Sequence, residues 1–426
     1  MFIILIVSFF LLLFLGVPIA VALGLSSLFS LLTQHDIPLI LIIQRMFVAI
    51  NSFPLLAVPL FILAGSLMGF GGISKRIVNF ANALVGHITG GLALVTILTS
   101  MIFAGISGSA VADTAAVGKI LIPSMIAKKY PAAYAAAVTG IASTIGIIIP
   151  PSIPMVILGS MLEVSVGKMF LGGILPGIMI GIALMVVAST VAKRGKIERN
   201  IEKISFKALL RSFKEASWAL LMPVIIVGGI VGGFFTPTEA GAIAVAYALI
   251  VGFFVYRELK IKYVWECLWD SGLTTAKVFY IIATASIFAW ILTTTGFPKM
   301  VCDVLLSISH SPIVIMILIV AILLIVTTFM ESLASLILLM PILFPVTQQV
   351  GIDPVVFGVL VVISIGVGLV TPPVGLCLYI SSDIAKVTMA KAAKTLVPFL
   401  IVMIAMLFFL IFCPQFITFI PNLIMR

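Results

Sequence analysis

Pro-Pro pairs interrupt two apolar runs of this sequence, Gly146-Ile-Ile-Ile-Pro-Pro-Ser152 and Gly366-Val-Gly-Leu-Val-Thr-Pro-Pro373. Proline lacks a backbone N–H and its ring clashes with the preceding helical turn, so a helix unwinds where two prolines follow each other. Within a membrane, irregular backbone persists only where protein or water satisfies its polar groups. The sequence therefore predicts two broken helices whose free carbonyl and N–H groups face the protein interior.

The breaks belong to an internal repeat with an offset of 222 residues, the separation of Pro123 and Pro345. The windows 105–176 and 327–398 hold six prolines each, for which chance predicts about 0.5 coincidences at a given offset. Four prolines coincide, together with one glycine. The aligned pairs are Pro123 with Pro345, Pro150 and Pro151 with Pro372 and Pro373, Pro176 with Pro398, and Gly146 with Gly368. We therefore expect two copies of one structural unit.

The composition is that of a membrane protein. Of the 426 residues, 63% are hydrophobic and only 9% are charged, and the mean hydropathy is +1.38. The apolar runs 2–32, 169–192 and 396–420 reach or exceed the roughly 20 residues that span a bilayer core. We expect an all-α polytopic membrane protein in contact with lipid.

The net charge of +10 has its clearest cluster at 193–214, where eight Lys and Arg accompany two Glu. Beside membrane spans, such a cluster marks the cytoplasmic side rather than a nucleic-acid surface. From this cytoplasmic loop, the run 169–192 leads back to the periplasm and 131–166 leads back to the cytoplasm. Lys128-Lys129 follows the segment 91–127 on the cytoplasmic side, and Lys75-Arg76 before it also indicates the cytoplasm. The segment therefore enters and leaves on one side, and we predict a re-entrant helical hairpin with Gly105-Ile-Ser-Gly-Ser109 at its tip.

The second copy follows from the same reasoning. Helices at 216–234 and 238–256 return the chain to the cytoplasm, and a helix at 276–296 crosses outward. The second predicted hairpin spans 312–350 and turns at 327–332. The two hairpins open to opposite sides, as inverted structural repeats require. Both chain ends are expected in the periplasm.

The repeat divides the chain into four predicted parts. Residues 1–90 form N-terminal scaffold helices and an amphipathic arm at 73–87. Residues 91–192 form the first transport-domain repeat, with hairpin 1 and a broken helix. Residues 193–275 form scaffold helices with the basic cytoplasmic loop, and residues 276–426 form the second repeat, with hairpin 2 and the other broken helix.

Small and polar residues gather at the predicted hairpin tips. They are Gly105, Ser107, Gly108, Ser109 and Asp113 in the first copy, and Thr327, Thr328, Glu331 and Ser332 in the second. A carboxylate at membrane depth is costly, and by default it marks a functional site. Two alternatives remain open: close helix packing through the small residues, and a buried ion pair between a carboxylate and a lysine such as Lys119.

The breaks add a second group of candidates. They are Gly146, Pro150, Pro151, Ser152, Gly366, Gly368, Thr371 and Pro372. Carbonyl groups freed by the prolines are suitable ligands for a dehydrated sodium ion, and the N–H groups of half-helix N-termini suit a substrate carboxylate. The alternative is a kink that serves packing alone.

Other reactive residues form no pattern typical of an enzyme. The cysteines Cys267, Cys302, Cys377 and Cys413 are scattered without the paired spacing of a metal site. The three histidines fit no ligand motif, and the sequence has neither a P-loop nor a nucleophile motif. We expect no bond chemistry, no cofactor and no metal other than sodium.

Four motifs in this order resemble the large membrane subunit (DctM-like) of tripartite ATP-independent periplasmic (TRAP) transporters. They are Gly105-Ile-Ser-Gly-Ser-Ala-Val-Ala-Asp113, Ile149-Pro-Pro-Ser152, Phe234-Phe-Thr-Pro-Thr-Glu-Ala-Gly241 and Thr371-Pro-Pro-Val-Gly375. The resemblance covers essentially the whole chain. It implies an elevator-type ion-transporter fold in the bacterial inner membrane, with sodium and substrate sites at the hairpin tips and broken helices.

The resemblance also implies a function and partners. The expected function is sodium-coupled symport of an organic acid, either sialic acid or a C4-dicarboxylate, delivered by a periplasmic substrate-binding protein. A small four-helix membrane subunit is the expected obligate partner, as a separate chain because the apolar run of this chain starts at Met1. Nucleic acid is not an expected partner.

Two other functions remain as alternatives. A stand-alone sodium–dicarboxylate symporter would use the same hairpins without a binding protein. An intramembrane enzyme would use Asp113 and Glu331 as an acid pair, which the missing metal motif and the duplication both disfavour.

Overall fold

A computed structural model describes residues 1–34, 37–195 and 206–425 of the protein. Within these ranges the chain is helical with short connections and contains no β-strand. The helices of the first half are α1 (Phe2–Phe14), α2 (Ile19–Leu32), α3 (Ile40–Ile50), α4 (Ala57–Phe70), α5 (Ile73–Val85), α6 (Gly91–Ser107), α7 (Ala110–Ala127), α8 (Ala132–Ser143), α9 (Ile153–Met161) and α10 (Val166–Arg194).

The helices of the second half are α11 (Phe206–Val231), α12 (Pro237–Ile250), α13 (Ile261–Thr294), α14 (Phe297–Ile308), α15 (Pro312–Phe329), α16 (Ser332–Gln349), α17 (Pro354–Gly368), α18 (Leu376–Ile384), α19 (Met389–Phe412) and α20 (Gln415–Ile424). Over the described residues, nine helical segments are long and apolar enough to cross a membrane.

The 222-residue offset relates whole helices, not only prolines. Shifting α7 (Ala110–Ala127) by this offset gives residues 332–349, the bounds of α16. Shifting the start of α8 gives 354, the start of α17. In the same way α5 corresponds to α14, α6 to α15, α9 to α18 and α10 to α19, with ends that differ by a few residues. The repeat therefore extends beyond the windows in which the prolines revealed it.

One contact lies where the two copies meet. A Cβ added to Gly366 would lie 3.5 Å from the Cβ of Thr144, and these two positions are equivalent under the 222-residue offset. Two copies related by a two-fold axis bring equivalent residues together only at that axis. This contact therefore marks the pseudo-two-fold axis of inverted repeats.

Two helical hairpins and two broken helices form where the sequence predicts them, and the re-entrant course of the hairpins stays a prediction. Hairpin 1 consists of α6 and α7, joined at Gly108, whose φ is +63°, and hairpin 2 consists of α15 and α16, joined at Met330 and Glu331. The first broken helix is α8, a 3-10 turn and α9, and the second is α17 and α18. The peptide bond between the two prolines is cis in both breaks. The predicted fold class is confirmed: an all-α polytopic membrane protein with inverted repeats and an elevator-type fold.

The centre of the structure is formed by α8 with its 3-10 turn and by α17. From Tyr134 to Ile148 and from Val355 to Val370 every residue is buried. Large apolar side chains on α1, α3, α11 and α19 are exposed instead. Such exposed apolar helix surfaces are those expected to face lipid. The first halves of the two broken helices thus lie in the core, surrounded by helices whose apolar faces are expected to contact lipid.

Two long apolar runs are each divided between helices. The run 2–32 forms α1 and α2, which separate at Gly16, whose φ is +78°, and at Pro18. The run 396–420 ends α19 at Phe412 and continues as α20 after Pro414. Proline and a glycine in the left-handed region each end a helix without changing the hydropathy of a run. The length of an apolar run therefore does not show where the helices inside it end.

The predicted start of the helix at 216–234 is wrong. Its helix, α11, begins at Phe206, so the last part of the predicted basic loop 193–214 is helical. Arg211 and Glu215 form an ion pair at 3.0 Å on one helix face. Such i,i+4 pairs support a helix in a polar sequence. The cytoplasmic placement of this loop stays a prediction, and residues 196–205 lie outside the described ranges.

The helix predicted at 276–296 also starts much earlier. Its helix, α13, contains 34 residues and begins at Ile261, which gives a length of about 51 Å. Lys262 and Glu266 lie 3.8 Å apart on its first turns. Charged residues near its start made this part resemble a loop, although they stabilise the helix end that extends beyond a core of about 30 Å. The proposed domain boundary at 275–276 falls inside this continuous helix.

Candidate functional site at the two hairpin tips

Both hairpin tips face one small cavity of about 70 Å³, here called the tip cavity. Hairpin 1 contributes Gly108, Ser109, Ala110 and Val111, hairpin 2 contributes Glu331, Ser332 and Leu333, and the broken helices contribute Ile147, Ile153, Pro154, Ile365 and Leu369. Several lining residues are equivalent under the 222-residue offset, for example Ser109 and Glu331. The tip cavity therefore lies between the two copies of the repeat, and it brings together four of the residues predicted from the sequence.

Three helices begin at this cavity, namely α7, α9 and α16. The Oγ of Ser109 accepts a hydrogen bond from the N–H of Ala112 at 3.4 Å, and the carboxylate of Glu331 accepts one from the N–H of Ala334 at 2.9 Å. Ser152 caps α9 in the same way. N-terminal N–H groups and helix dipoles favour negative charge. Among the described residues that line the cavity, none is Lys or Arg.

The carboxylate of Asp113 lies one helical turn behind the first tip. Asp113 is fully buried, and Ser107 donates a hydrogen bond from its Oγ to Oδ1 of Asp113. Over the described part of the chain, Oδ2 has no hydrogen-bond partner. A Cβ on Gly146 would overlap this Oδ2 and lie 3.0 Å from Cγ of Asp113. The carboxylate therefore occupies space that only glycine leaves open.

A lysine does not neutralise Asp113 within the described residues. Lys119 is exposed on α7, and no ion pair of Asp113 occurs in the described ranges. The pairing considered for Asp113 and Lys119 is therefore wrong. The partner of the carboxylate is a neutral hydroxyl, which leaves one oxygen available to a cation.

Hairpin 1 and the first break form one packed unit. The N–H of Ile153 donates to the carbonyl oxygen of Gly108 at 3.2 Å. A Cβ on Gly108 would lie 2.8 Å from the carbonyl oxygen of Pro151. The Oγ of Ser152 donates to the carbonyl of Ile147 and so closes the break from inside. Pro150 and Pro151 are both buried.

Hairpin 2 contacts the second break by equivalent elements but different residues. The N–H of Val374 donates to the carbonyl oxygen of Thr328 at 3.3 Å. A Cβ on Gly368 would overlap Cβ and Oγ1 of Thr327, so the two backbones approach closely here. The Oγ1 of Thr371 donates to the carbonyl of Val367 at 2.7 Å. Pro372 is exposed, whereas its equivalent in the first copy is buried.

The other predicted residues do not line the tip cavity, and three of them belong to the second broken helix. Thr371 and Pro372 lie in the exposed second break and do not line it. Gly366 faces the core, where a Cβ would lie 3.2 Å from Cε of Met403. The second break thus has one packed side and one open side.

The structure also adds residues that chemistry-based reasoning missed. Ile147 and Leu369 line the tip cavity and are equivalent under the offset, so the repeat itself was the signal that could have found them. Gly65 of α4 lies against the first tip, where a Cβ would be 3.1 Å from Cα of Ser107. Pro223 of α11 packs on Gly105 at the same tip. No sequence motif distinguishes these last two.

Paired hairpins and broken helices around a cavity between inverted repeats are typical of membrane transporters. The sequence profile of the family described as "Tripartite ATP-independent periplasmic transporter, DctM component" matches residues 6–416. The chain therefore belongs to this family, as its motifs indicated. Large permeases of the family work with a small membrane subunit and a periplasmic binding protein.

Curated relatives carry related names. A C4-dicarboxylate TRAP transporter large permease protein of Pseudomonas aeruginosa is 39% identical, with 94% of each chain covered. A sialic acid TRAP transporter large permease protein of Vibrio cholerae is 41% identical over 97% of this chain and 96% of that protein. An isethionate TRAP transporter permease protein of Oleidesulfovibrio alaskensis is 40% identical over 95% of this chain, which spans 64% of that relative's length.

These relatives are transporter permeases, which confirms that the protein is not an enzyme and that it is a multi-pass inner-membrane protein. Among solved structures, the Alcanivorax borkumensis YdaH transporter matches with a TM-score of 0.58 over 86% of each chain. Its sequence identity is 13%, so the likeness concerns the fold.

Proposed function

We propose that this chain is the membrane subunit through which sodium drives the uptake of an organic acid delivered by a periplasmic binding protein. The observation that carries the proposal is the tip cavity, where both hairpins and three helix N-termini meet. Family membership supports the class of function. Sodium coupling and the substrate are the proposed part.

The sodium site of the first copy lies at Asp113 in this proposal. Its free Oδ2 is buried beside the first break, and Ser107 holds Oδ1. Hard cations prefer carboxylate, hydroxyl and carbonyl oxygens, and these groups are all present here. In the second copy of this proposal, Thr371 and the backbone carbonyl groups of the exposed residues 372–374 provide the corresponding oxygen ligands.

The substrate carboxylate binds at the tip cavity in this proposal, held by N–H groups of the helix N-termini. Glu331 lines the same cavity, so the substrate must also offer a hydroxyl or amino donor to this carboxylate. The cavity of about 70 Å³ is smaller than the roughly 300 Å³ of the smallest usual ligand pockets. The hairpins must therefore separate to admit the substrate, in keeping with an elevator mechanism.

Charge at Glu331 bears on which substrate is transported. Relatives are named for sialic acid, C4-dicarboxylate, isethionate and 2,3-diketo-L-gulonate. A second substrate carboxylate near Glu331 would be repelled unless a cation lies between them. This favours an acid with one negative group and several hydroxyls, such as sialic acid, over a C4-dicarboxylate.

Reconstitution tests the proposal directly. In liposomes with an inward sodium gradient, the chain with its small membrane subunit and binding protein should take up labelled substrate, whereas the chain without the binding protein should show negligible uptake. Sialic acid and succinate are the two probes. Robust uptake by the chain alone would show a stand-alone sodium symporter instead. Uptake that does not depend on the sodium gradient would contradict sodium coupling.

Substitutions at the oxygen ligands should act through sodium. We expect Ser109→Ala, Asp113→Asn and Thr371→Ala to lower uptake and to raise the sodium concentration needed for half-maximal uptake. The largest shift, about tenfold or more, is expected for Asp113→Asn, because it removes the charge of a buried oxygen ligand. Uptake is measured over a range of sodium concentrations at equal protein level. Unchanged sodium dependence in Asp113→Asn would make Asp113 a structural residue.

A further inference from the structure

Of the larger cavities among the described residues, two are lined by α9, which also reaches the tip cavity. The first, here called the vestibule, has a volume of about 570 Å³ and lies at the surface, where Glu163 and Ser165 are exposed. Its walls are residues 52–54, 159–160, 163–167, 230, 235–238 and 425. The second, the middle cavity, has a volume of about 310 Å³. It lies between α3, α9, α13 and α16.

One face of α9 connects all three cavities. Ile153 lines the tip cavity, Ile157 lines the middle cavity, and Ser160 lines both the middle cavity and the vestibule. Residues spaced by three or four share a helix face, so these three side chains form a continuous stripe. The cavities therefore follow each other along this helix, from the surface to the hairpin tips.

A helix of the other repeat follows the same line. Leu333 of α16 lines the tip cavity, and Ile337 and Pro341 line the middle cavity. These residues are spaced by four and so share one face of α16. One helix from each copy of the repeat thus flanks the line of cavities.

A hydrogen bond between two serines lies where the vestibule and the middle cavity meet. The Oγ atoms of Ser52 and Ser160 lie 2.9 Å apart, and both residues line both cavities. Next to Ser52, the carbonyl oxygen of Phe53 accepts a hydrogen bond from Oγ1 of Thr238 at 2.9 Å. The start of α12, which carries Thr238, is held by a capping box between Thr236 and Glu239. The Ser52 side is therefore fixed to α12, whereas Ser160 belongs to the first broken helix.

We propose that the substrate reaches the hairpin tips along α9, and that the Ser52–Ser160 hydrogen bond is the gate of this route. The proposal rests on the proposed transport function and names the path to its site. The vestibule offers hydroxyl groups from Ser52, Ser160, Ser165 and Thr236, which suit a hydroxylated organic anion. One neutral hydrogen bond is weak enough to open whenever the first broken helix moves relative to α12.

A charged thiol reagent tests the route without transport. The full chain, with its four native cysteines replaced, carries a single Cys at Ser332 in proteoliposomes, and the probe is 2-sulfonatoethyl methanethiosulfonate, an impermeant anion. Ser160→Ala should speed labelling from the vestibule side about fivefold, because it removes the hydrogen bond that closes the gate. Ser160→Trp should slow it at least fivefold, because the ring fills the constriction.

A reversible disulfide across the gate gives a second test of the route. With Ser52→Cys and Ser160→Cys added and oxidised, labelling of the Cys at 332 should fall below a tenth and return on reduction. A Cys at Ser165 is the matched control, because it lies on the vestibule side of the gate and should be labelled equally in both states. Unchanged labelling at 332 with the bridge shown intact by mass spectrometry, or with Ser160→Trp, would overturn the route.

Uptake is measured separately in the complete system, so the two proposals fail differently. Gated labelling in a protein that shows no sodium-dependent uptake would contradict the proposed function and leave the route in place. Sodium-dependent uptake with the bridge intact would contradict the gate alone.

Discussion

Gly146→Ala is expected to lower sodium-driven uptake by about tenfold or more. The added methyl group would overlap Oδ2 of Asp113, so the carboxylate must turn away from the break or the break must shift. Either change removes a charged oxygen from the proposed ion site, and interactions with charged groups of this kind contribute about 1.5–3 kcal/mol. The measurement is initial uptake in the reconstituted system across sodium concentrations, with protein level and melting temperature determined in parallel.

Two matched variants make this result interpretable. Gly69→Ala places the same methyl group on α4, where no described residue comes within 4 Å of it apart from the adjoining backbone of its own helix, so uptake should be unchanged. Gly368→Ala is the repeat-equivalent change and overlaps Thr327 instead of a carboxylate. It should lower uptake with a smaller shift in sodium dependence. If Gly146→Ala keeps both its melting temperature and normal sodium dependence, the carboxylate does not bind the ion.

The prolines made the overall arrangement predictable. Each Pro-Pro pair sits where a helix breaks, and the shared offset predicted both hairpins to within a few residues. The starts of α11 and α13 were not predictable in the same way. Polar residues such as Arg211 and Glu266 form helix-surface pairs there, and a hydropathy pattern does not distinguish such a helix end from a charged loop.

The residue types of the candidate site were predictable from the sequence, but the side of the helix that each residue faces was not. Asp113 and Glu331 look alike in the sequence, as carboxylates near a hairpin tip. In the structure, Asp113 is held by Ser107 beside the first break, whereas Glu331 lines the tip cavity at the position equivalent to Ser109. Which side of a helix a residue faces depends on packing partners distant in sequence. The apolar lining residues Ile147 and Leu369 carried no chemical signal at all.

The contacts of the first tip with the surrounding helices suit sliding. Gly105 packs on Pro223 of α11, and Gly65 of α4 packs on Ser107. Small residues let helices approach closely without interlocking side chains. The arm α5 is fixed at its start instead, because Arg76 pairs with Glu258 at 2.7 Å and lies over a tyrosine ring. We infer that the hairpins move while the start of the arm stays with the scaffold.

An elevator motion should therefore change the membrane side from which the tips are accessible. In a background without the four native cysteines, a single Cys at Ser109 or Ser332 should react with an impermeant maleimide from one side with sodium and from the other side without it. The labelling rate from each side should differ by about tenfold between the two conditions. The reason is that a bound sodium ion stabilises one of the two states relative to the other.

A pair inside the scaffold gives the control for this experiment. A Cβ on Gly24 of the scaffold helix α2 would lie 3.9 Å from Cβ of Thr284 on α13, a helix that begins in the scaffold part. This separation suits a disulfide, so a Cys–Cys bridge between these positions should leave uptake unchanged. A bridge from Gly65 to Ser107 should instead hold the tip on α4 and stop uptake until it is reduced. If both tips react equally from one side in every condition, the hairpins stay at one depth and the elevator motion is wrong. Rocking around a fixed site would then account for alternating access, because the inverted repeat supports either motion.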